Sequence, residues 1–550
     1  MTLLETALSL LPNDVAHFVS AADRRPDEVH ATSRDGASVN GLQVGGRTIH
    51  FHSRYSALRE AERLADSAGD ARFAVVIGFG MGHHVRALAR RGVRSLVVEP
   101  DAALLRSALE RGDFVELIRS GHLALASDDP HSLVHTLGRS YLPALDGDLA
   151  VVELPGRVAA EPERLAGVRS VVRHAVDALK DDLAVQTRFA AVWARNTLLN
   201  AARVSSSGLP DWRGLPVTVA AAGPSLEGYL AGRAARPTDR LVAVDTALPV
   251  LIAHGIRPDL VVSIDCQLTT YHHFLSASFP ALPTVAELSL PPSLLERLAS
   301  PLPVLGNHPL HALLAHHGLP LPHIETSSGN VAQASVELAA RLGASRVTLV
   351  GADFSYPDGR TYPRGSYIDR YFRSRAGRLG PLAGALYRFL MDRPGLTRLE
   401  THDNSWTQPT LTTYATRMAG AVASLGIPVE RIRANGIELR AIPEAGVRGS
   451  DRAEAPRREP PPALRAIGAA TRRRALGATR EALFAIPGTA SLRRAATDAS
   501  APHRLAAHAF LPLLTRLAAG SAAVDPEELF AAARAAMGST IDQALRLCQE

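Results

Sequence analysis

Between residues 217 and 267 the chain places three short apolar runs in succession, and polar residues follow each run. The first run, residues 217–222, stops at a Gly-Pro-Ser turn, and the next two stop at Asp245 and Asp265. An apolar run that ends in Gly-Pro is typical of a buried strand that leaves its sheet through a tight turn. Because small or acidic residues follow all three runs, the pattern predicts a nucleotide-binding crevice in an open α/β sheet.

The Gly-Pro-Ser turn at residues 223–225 predicts how this crevice binds a ligand. Pro224 suits the first turn of a helix, where its missing N–H costs little. Backbone N–H groups and the Ser225 hydroxyl would then point at whatever lies above the strand end. Since the N-terminus of a helix attracts phosphate, we expect phosphate binding at this turn.

The composition limits the other classes of function. A chain of 550 residues is too long for one hydrophobic core, so two or three domains are expected. The net charge is only +6, which argues against nucleic-acid binding. Lys180 is the only lysine and no Gly-Lys-Ser/Thr occurs, which excludes a Walker-type phosphate loop.

The cysteines and the apolar runs help to predict the cellular compartment of the protein. Cys266 and Cys548 are too few and too far apart for a disulfide framework or a zinc site. Residues 1–11 lack the basic start of a signal peptide, and no apolar run reaches the length of a membrane span. We therefore expect a cytoplasmic protein without a membrane span.

Residues 73–99 follow a strand–turn–helix–strand pattern with a Gly-Phe-Gly-Met-Gly turn and Glu99 at the end of the second strand. This pattern predicts a Rossmann-like unit. One interpretation is binding of S-adenosylmethionine or a dinucleotide, with Glu99 on the ribose. The interpretation that we favour is that the glycines only make the turn. His83 and His84 are expected at the surface, at the start of the helix.

The predicted fold class is α/β. A Rossmann-like amino-terminal domain is assigned to residues 1–185 and a second Rossmann-like domain to residues 186–445. Residues 446–463 are rich in Pro, Arg and Glu and are assigned to a linker. Residues 464–550, rich in Ala, Leu and Arg, are assigned to a small helical carboxyl-terminal region.

Further polar residues follow later strands of the second domain. A hydroxyl cluster at residues 326–328 precedes a predicted helix and can cap it. The strand at residues 346–350 leads to Asp353, and a polar loop occupies residues 401–406. In this architecture ligands bind just beyond the strand ends, so these segments are candidates for the site.

With these motifs in this order, the chain resembles the motility-associated factor family of bacterial glycosyltransferases. That family shares its core with the 6-hydroxymethylpterin diphosphokinase MptE-like domain, and the resemblance covers about residues 51–442. Its main motifs are Ala-Gly-Pro-Ser-Leu at 222–226, Ala-Val-Asp-Thr-Ala-Leu at 243–248, Arg-Pro-Asp at 257–259 with Ser-Ile-Asp at 263–265, and Ser-Gly-Asn-Val-Ala at 328–332 before Gly-Ala-Asp at 351–353.

The core also resembles a bacterial sialyltransferase family that uses CMP-activated sugars. In that family a Gly-Asn-Gly-Pro-Ser-Leu turn binds the nucleotide, a Ser-Gly turn contacts the donor, and two tyrosines six residues apart hold the leaving phosphate. Tyr356 and Tyr362 match the tyrosine pair, whereas Ala222 replaces the asparagine of the first turn. A histidine acts as the base in those enzymes, and His402 is the first candidate here, with His308 second.

The resemblance implies transfer of a nonulosonic acid of the pseudaminic, legionaminic or sialic acid type from its CMP ester to Ser or Thr of flagellin or another acceptor. It implies no metal and no cofactor besides the CMP-sugar donor. The implied catalytic residues are Tyr356, Tyr362 and His402. The implied donor-binding residues are Gly223, Pro224, Ser225, Asp245, Thr246, Asp265, Ser327, Ser328, Gly329 and Asp353.

Two alternatives stay open at this point. The first is an ATP-dependent diphosphokinase that acts on a hydroxymethylpterin. It would need Mg²⁺ on carboxylates such as Asp245, Asp265 and Asp353. The second is a non-catalytic homologue that binds a nucleotide sugar, which Ala222 favours.

Overall fold

The computed structural model describes residues 2–231, 239–275, 282–326, 329–400, 404–432, 436–439, 442–445, 464–497, 501–519 and 525–549. The chain forms two compact units. The amino-terminal unit contains residues 1–190 and 485–534, and the central unit contains residues 191–484 and 535–550. The helices of residues 464–550 are thus divided between the two units, and the predicted linker at 446–463 lies outside the described residues.

Two sheets form the amino-terminal unit. Its strands are β1 (Glu28–Thr32), β2 (Ser38–Val44), β3 (Arg47–His50), β4 (Phe73–Ile77), β5 (Arg94–Val98), β6 (Leu123–Ala126) and β7 (Leu149–Glu153). The first three pair as an antiparallel sheet, and the others form a parallel sheet in the order β6-β5-β4-β7. All residues of β4 and β5 are buried, which explains why β4 is a continuous apolar run rather than an alternating one.

Helices surround these sheets. They are α1 (Leu3–Leu8), α2 (Asn13–Ser20), α3 (Ala57–Asp66), α4 (His83–Arg90), α5 (Ala102–Arg111), α6 (Val115–Arg119), α7 (Pro130–Ser140), α8 (Pro143–Asp146) and α9 (Pro155–Ala160). The long helix α10 (Pro162–Arg203) follows, and the predicted domain boundary at residue 185 falls inside it.

The glycine turn between β4 and α4 is packed with protein side chains. A Cβ on Gly78 would lie 2.7 Å from Cγ of Arg157, and a Cβ on Gly82 would lie 2.6 Å from the Phe114 ring. Glu99 is fully buried, binds the Arg157 guanidinium at 3.0 Å and accepts the Phe79 N–H at 3.0 Å. The Glu99 carboxylate, which was a candidate for binding a ribose, therefore forms an internal ion pair with Arg157 instead. This supports the interpretation that these glycines only make the turn.

The expectation of two surface histidines after this turn is wrong for His84. His83 is half-buried, but His84 is fully buried, with Nε2 3.2 Å from the carbonyl oxygen of Gly78. Burial holds the pKa of His84 well below its ordinary value. The buried face of α4 already includes the second residue of the helix. His84 is therefore buried against the protein although it lies at the start of α4.

The central unit is built on a parallel sheet of eight strands, and its described residues also form four short strands outside that sheet. The strands are β8 (Ser206–Ser207), β9 (Pro216–Ala220), β10 (Arg240–Val244), β11 (Leu260–Ser263), β12 (Pro283–Glu287), β13 (Ser300–Val304), β14 (Arg346–Val350), β15 (Thr397–Arg398), β16 (Trp406–Thr407), β17 (Val429–Ile432), β18 (Glu444–Ala445) and β19 (Arg465–Ala466). The large sheet has the order β13-β12-β11-β10-β9-β14-β17-β18. The strand order reverses between β9 and β14, and this reversal is the switch point where open α/β sheets bind ligands.

The remaining helices complete the chain. They are α11 (Ser225–Ala231), α12 (Leu248–Ala253), α13 (Thr269–Leu275), α14 (Pro292–Leu295), α15 (Pro309–His316), α16 (Val331–Arg341), α17 (Tyr367–Arg375), α18 (Leu382–Met391), α19 (Pro409–Ser424), α20 (Ala469–Phe484), α21 (Thr489–Thr497), α22 (Ala501–Ala519) and α23 (Pro526–Leu547). Among the described residues, no helix has the length and apolarity that a membrane crossing requires. The α/β class with two Rossmann-like domains is confirmed.

Candidate functional site

The exits of β9 and β14 lie together at the switch point and are joined through their backbones. The Ala221 N–H donates to the Val350 carbonyl at 2.8 Å, and the Gly223 N–H donates to the Gly351 carbonyl at 2.7 Å. A Cβ on Gly223 would overlap both that carbonyl and the carboxylate of Asp353. The first glycine of the predicted turn is therefore required by the close approach of two strand exits.

Asp353 caps the helix that follows this turn. Its Oδ2 accepts the Ser225 N–H at 2.8 Å, at the first residue of α11. Asp353 is fully buried, and burial raises its pKa while the hydrogen bonds from Ser225 act in the opposite direction. In this structure the Ser225 N–H is thus already bound by a carboxylate of the same chain, and phosphate binding at this turn stays a prediction.

Asp245 and Asp265 follow the neighbouring strands β10 and β11. Asp245 accepts from the Ser263 hydroxyl at 2.7 Å and from the Thr246 N–H at 2.6 Å. Asp265 accepts the Gln267 N–H at 2.9 Å. Burial raises the pKa of Asp265, hydrogen bonds from Gln267 oppose this, and the charge of Asp245 raises it further. The structure therefore brings these two predicted carboxylates together.

Glu287 is a third carboxylate in this row, and the sequence analysis did not include it. It ends β12, is 6% exposed, and accepts from the Ser289 hydroxyl at 2.5 Å and the Thr326 hydroxyl at 3.2 Å. Burial raises its pKa to about 7, the two hydroxyls oppose this, and the charge of Asp265 adds to it. An apolar run that ends in an acid is the same signal that identified Asp245 and Asp265.

The predicted tyrosine pair faces this row. Burial raises the pKa of Tyr362, the charge of Arg393 lowers it, and the charges of Asp245 and Asp265 raise it. Burial also raises the pKa of Tyr356, Arg393 lowers it, and Tyr362 raises it. The two tyrosines are therefore close to each other, and Tyr362 is close to the aspartates.

Tyr414 on α19 is another member of the cluster that the sequence analysis did not identify. Burial raises its pKa, Arg417 lowers it, and Asp265 and Tyr362 raise it. Its hydroxyl lies 3.6 Å from the place of a Cβ on Gly329, whose φ is +66°. Gly329, which belongs to the predicted Ser-Gly turn, is thus beside the same cluster.

The remaining predicted residues are placed as follows. Pro224 lies in the turn before α11, and Thr246 lies beside Asp245, with its hydroxyl 3.0 Å from Oδ1. Ser327, Ser328 and His402 lie outside the described residues. No group of three His, Cys, Asp or Glu residues in the described part of the chain is arranged so that it could hold a metal ion.

His308, the second candidate base, caps a helix. Its Nδ1 accepts the Leu310 N–H at 3.2 Å, at the start of α15. Burial lowers its pKa to about 4, so the ring is neutral near pH 7. A neutral imidazole has one lone pair for accepting a proton, and here it is used for the cap. This geometry disfavours His308 as a general base.

Comparisons with known proteins agree with this architecture. Residues 195–359 match the family model described as 6-hydroxymethylpterin diphosphokinase MptE-like. The structure of a Maf glycosyltransferase from Magnetospirillum magneticum AMB-1 has the same fold, with a TM-score of 0.56 and 13% identity over 100% of this chain and 95% of that one. The resemblance to the motility-associated factor family is confirmed in the fold and in the MptE-like domain.

Relatives from Treponema pallidum (strain Nichols), described as uncharacterized proteins, are closer in sequence. One is 44% identical over 77 residues, which are 14% of this chain and 27% of that protein. Another is 31% identical over 150 residues, which are 26% of this chain and 71% of that protein. The chain belongs to the family of this second Treponema protein, and it spans only about a quarter of the length of the first.

Proposed function

We propose that the chain is a glycosyltransferase that moves a nonulosonic acid from its CMP ester to a hydroxyl of a protein acceptor. The observation that carries this proposal is that Tyr362, in the loop after β14, is within electrostatic range of Asp245 and Asp265, which follow β10 and β11, and that Tyr356 is near Tyr362. Tyrosine hydroxyls can donate to a phosphate, and carboxylates can accept from sugar or ribose hydroxyls. The fold shared with a Maf glycosyltransferase supports the same class.

The reaction breaks the bond between the anomeric carbon and the phosphate oxygen, and CMP leaves with the electron pair. The acceptor oxygen forms the new bond and gives its proton to a base. Negative charge grows on the phosphate while the sugar becomes oxocarbenium-like, so donors near the phosphate stabilise the transition state. We assign this role to the two tyrosines, and His402 remains the proposed base.

The donor and acceptor are proposed on the resemblance. The donor would be a CMP-activated pseudaminic, legionaminic or sialic acid, and the acceptor Ser or Thr of flagellin or another protein. In the described site, Tyr362 is within electrostatic range of Asp245 and Asp265, and Tyr356 is near Tyr362. The sugar and ribose hydroxyls would therefore face Asp245 and Asp265, and the phosphate would face Tyr356 and Tyr362.

A second candidate is a diphosphokinase that acts on a hydroxymethylpterin, and the MptE-like match at residues 195–359 favours it. That chemistry needs Mg²⁺ on carboxylates. Asp245 already accepts from Ser263 and Thr246, and Asp353 accepts from Ser225. Among the described residues, no group of three His, Cys, Asp or Glu side chains is arranged to hold a metal ion, so the transferase is favoured.

Thermal-shift titration with CMP, CTP, ATP, GTP and S-adenosylmethionine tests the proposal. A ligand at 100 times its dissociation constant adds about 2.7 kcal/mol of stability, so CMP or CTP should stabilise the protein and the other compounds should not. Release of CMP from a CMP-nonulosonate without added metal is then expected. Stabilisation by S-adenosylmethionine alone, or magnesium-dependent turnover of ATP without CMP release, would contradict the proposal.

A further inference from the structure

Arg393 is a half-buried arginine next to the tyrosine pair, just beyond the end of α18. Its guanidinium carbon lies 4.2 Å from the centre of the Phe389 ring. Among the described residues it makes no ion pair and no side-chain hydrogen bond, and its Nε is buried without a partner. The Nε–H donor of this half-buried guanidinium is thus buried without an acceptor, which is costly. An anionic ligand would supply the missing acceptor.

Packing fixes the position of Arg393 relative to the tyrosines. Leu390, three residues before it, is fully buried and lies 3.4 Å from the place of a Cβ on Gly359. Gly359 belongs to the loop that joins Tyr356 to Tyr362. The Tyr356 N–H also donates to the Trp406 carbonyl at 2.7 Å, which holds the start of that loop. The end of α18 and the tyrosine loop are therefore in direct contact.

The electrostatics of the two tyrosines agree with this contact. Burial raises the pKa of both hydroxyls, and the positive charge of Arg393 is the next largest influence and lowers both. Two arginines of the preceding helix, α17, bind within the protein. Arg370 donates to the Gly365 carbonyl at 2.9 Å, and Arg373 binds Asp369 at 3.1 Å. Arg393 differs from these two because its buried Nε has no partner among the described residues.

We propose that Arg393 is an anion-binding residue of the donor site and holds the phosphate of the nucleotide against the hydroxyls of Tyr356 and Tyr362. This inference rests on the proposed function, which it deepens by naming the cation that faces the phosphate. A guanidinium offers two parallel N–H groups that match two phosphate oxygens. Because phosphate charge grows as the glycosidic bond breaks, the same contact would strengthen in the transition state.

The test compares Arg393→Gln with the control Arg388→Gln, which removes an exposed arginine of α18. The dissociation constants of CMP and of cytidine are measured by calorimetry. Loss of a hydrogen bond to a charged group should weaken CMP binding about 10- to 100-fold in Arg393→Gln. Cytidine binding should not change in either variant, and Arg388→Gln should bind CMP like the wild type. Unchanged CMP affinity in Arg393→Gln would overturn the inference.

A second measurement keeps the inference separate from the proposed function. If the wild type binds neither CMP nor cytidine, the proposed function fails, and inorganic pyrophosphate becomes the probe. Stabilisation of the wild type by pyrophosphate, lost in Arg393→Gln and kept in Arg388→Gln, would still support an anion site at Arg393. Equal stabilisation of all three proteins, or none of the wild type, would refute it. Melting temperatures without ligand should agree closely, because the substitution breaks no ion pair or side-chain hydrogen bond among the described residues and removes only the contact with the Phe389 ring.

Discussion

Replacing Glu287 by Gln should remove a pH dependence from the stability of the central unit. The ordinary pKa of this side chain is 4.5, and in the folded protein burial raises it to about 7. Above pH 4.5 the unfolded chain releases this proton, whereas the native protein keeps it until about pH 7. Over this interval the native state binds more protons, so raising the pH destabilises it.

The magnitude follows from the same two values. At about 1.4 kcal/mol per pKa unit, the difference between these two values corresponds to about 3 kcal/mol. The contribution is fully present below pH 4.5 and is lost as the pH rises through 7. Gln has the same shape and no charge, and one of the Ser289 and Thr326 hydroxyls can turn to accept from its amide N–H while the other still donates to its amide oxygen. The variant should therefore lack this loss.

The measurement is hydrogen exchange of peptides from β12 between pH 5 and 8, corrected for the intrinsic exchange rate. It gives the local free energy of opening of this strand. A local measurement is needed because a chain of two compact units need not unfold in one step. Glu296→Gln is the control, since Glu296 is an exposed carboxylate of the same unit. Between pH 5 and 8 the wild type and the control should lose about 2–3 kcal/mol relative to Glu287→Gln. Parallel curves for all three proteins would refute this account of the buried carboxyl.

Three further predictions concern other positions. Gly306→Ala should cost about 1–3 kcal/mol in urea unfolding of the central unit, because its Cβ would overlap the carboxylate just discussed, and a variant of wild-type stability would contradict this packing. Tyr356→Phe and Tyr362→Phe should each lower CMP release from a CMP-nonulosonate about 10²–10³-fold at nearly unchanged melting temperature, whereas wild-type rates would remove both from the site. Glu99→Gln should lower the free energy of unfolding of the amino-terminal unit by about 3–5 kcal/mol, because it leaves the buried Arg157 charge without its main partner. A loss below about 1 kcal/mol in urea unfolding would contradict this account of the ion pair.

Local patterns made much of the architecture predictable. Residues 217–222 form a strand and exit because every residue there suits a strand buried on both faces, and the following Gly-Pro ends it. Asp245 and Asp265 could be placed together because the carboxyl ends of parallel strands meet at one edge. Glu287 follows the same rule, but prolines on both sides of its strand, Pro283 and Pro291, obscure where β12 ends.

The remaining features of the site depend on contacts between distant parts of the chain, and local sequence patterns contain no information about such contacts. Pro224 and Ser225 predict a helix start with free N–H groups, and only the fold shows that Asp353, 128 residues after Ser225, already accepts one of them. Arg393 carries no motif, and its position depends on Leu390 packing against the loop between the two tyrosines. The role that we propose for Arg393 at the phosphate therefore depends on tertiary packing, which no local pattern of the sequence contains.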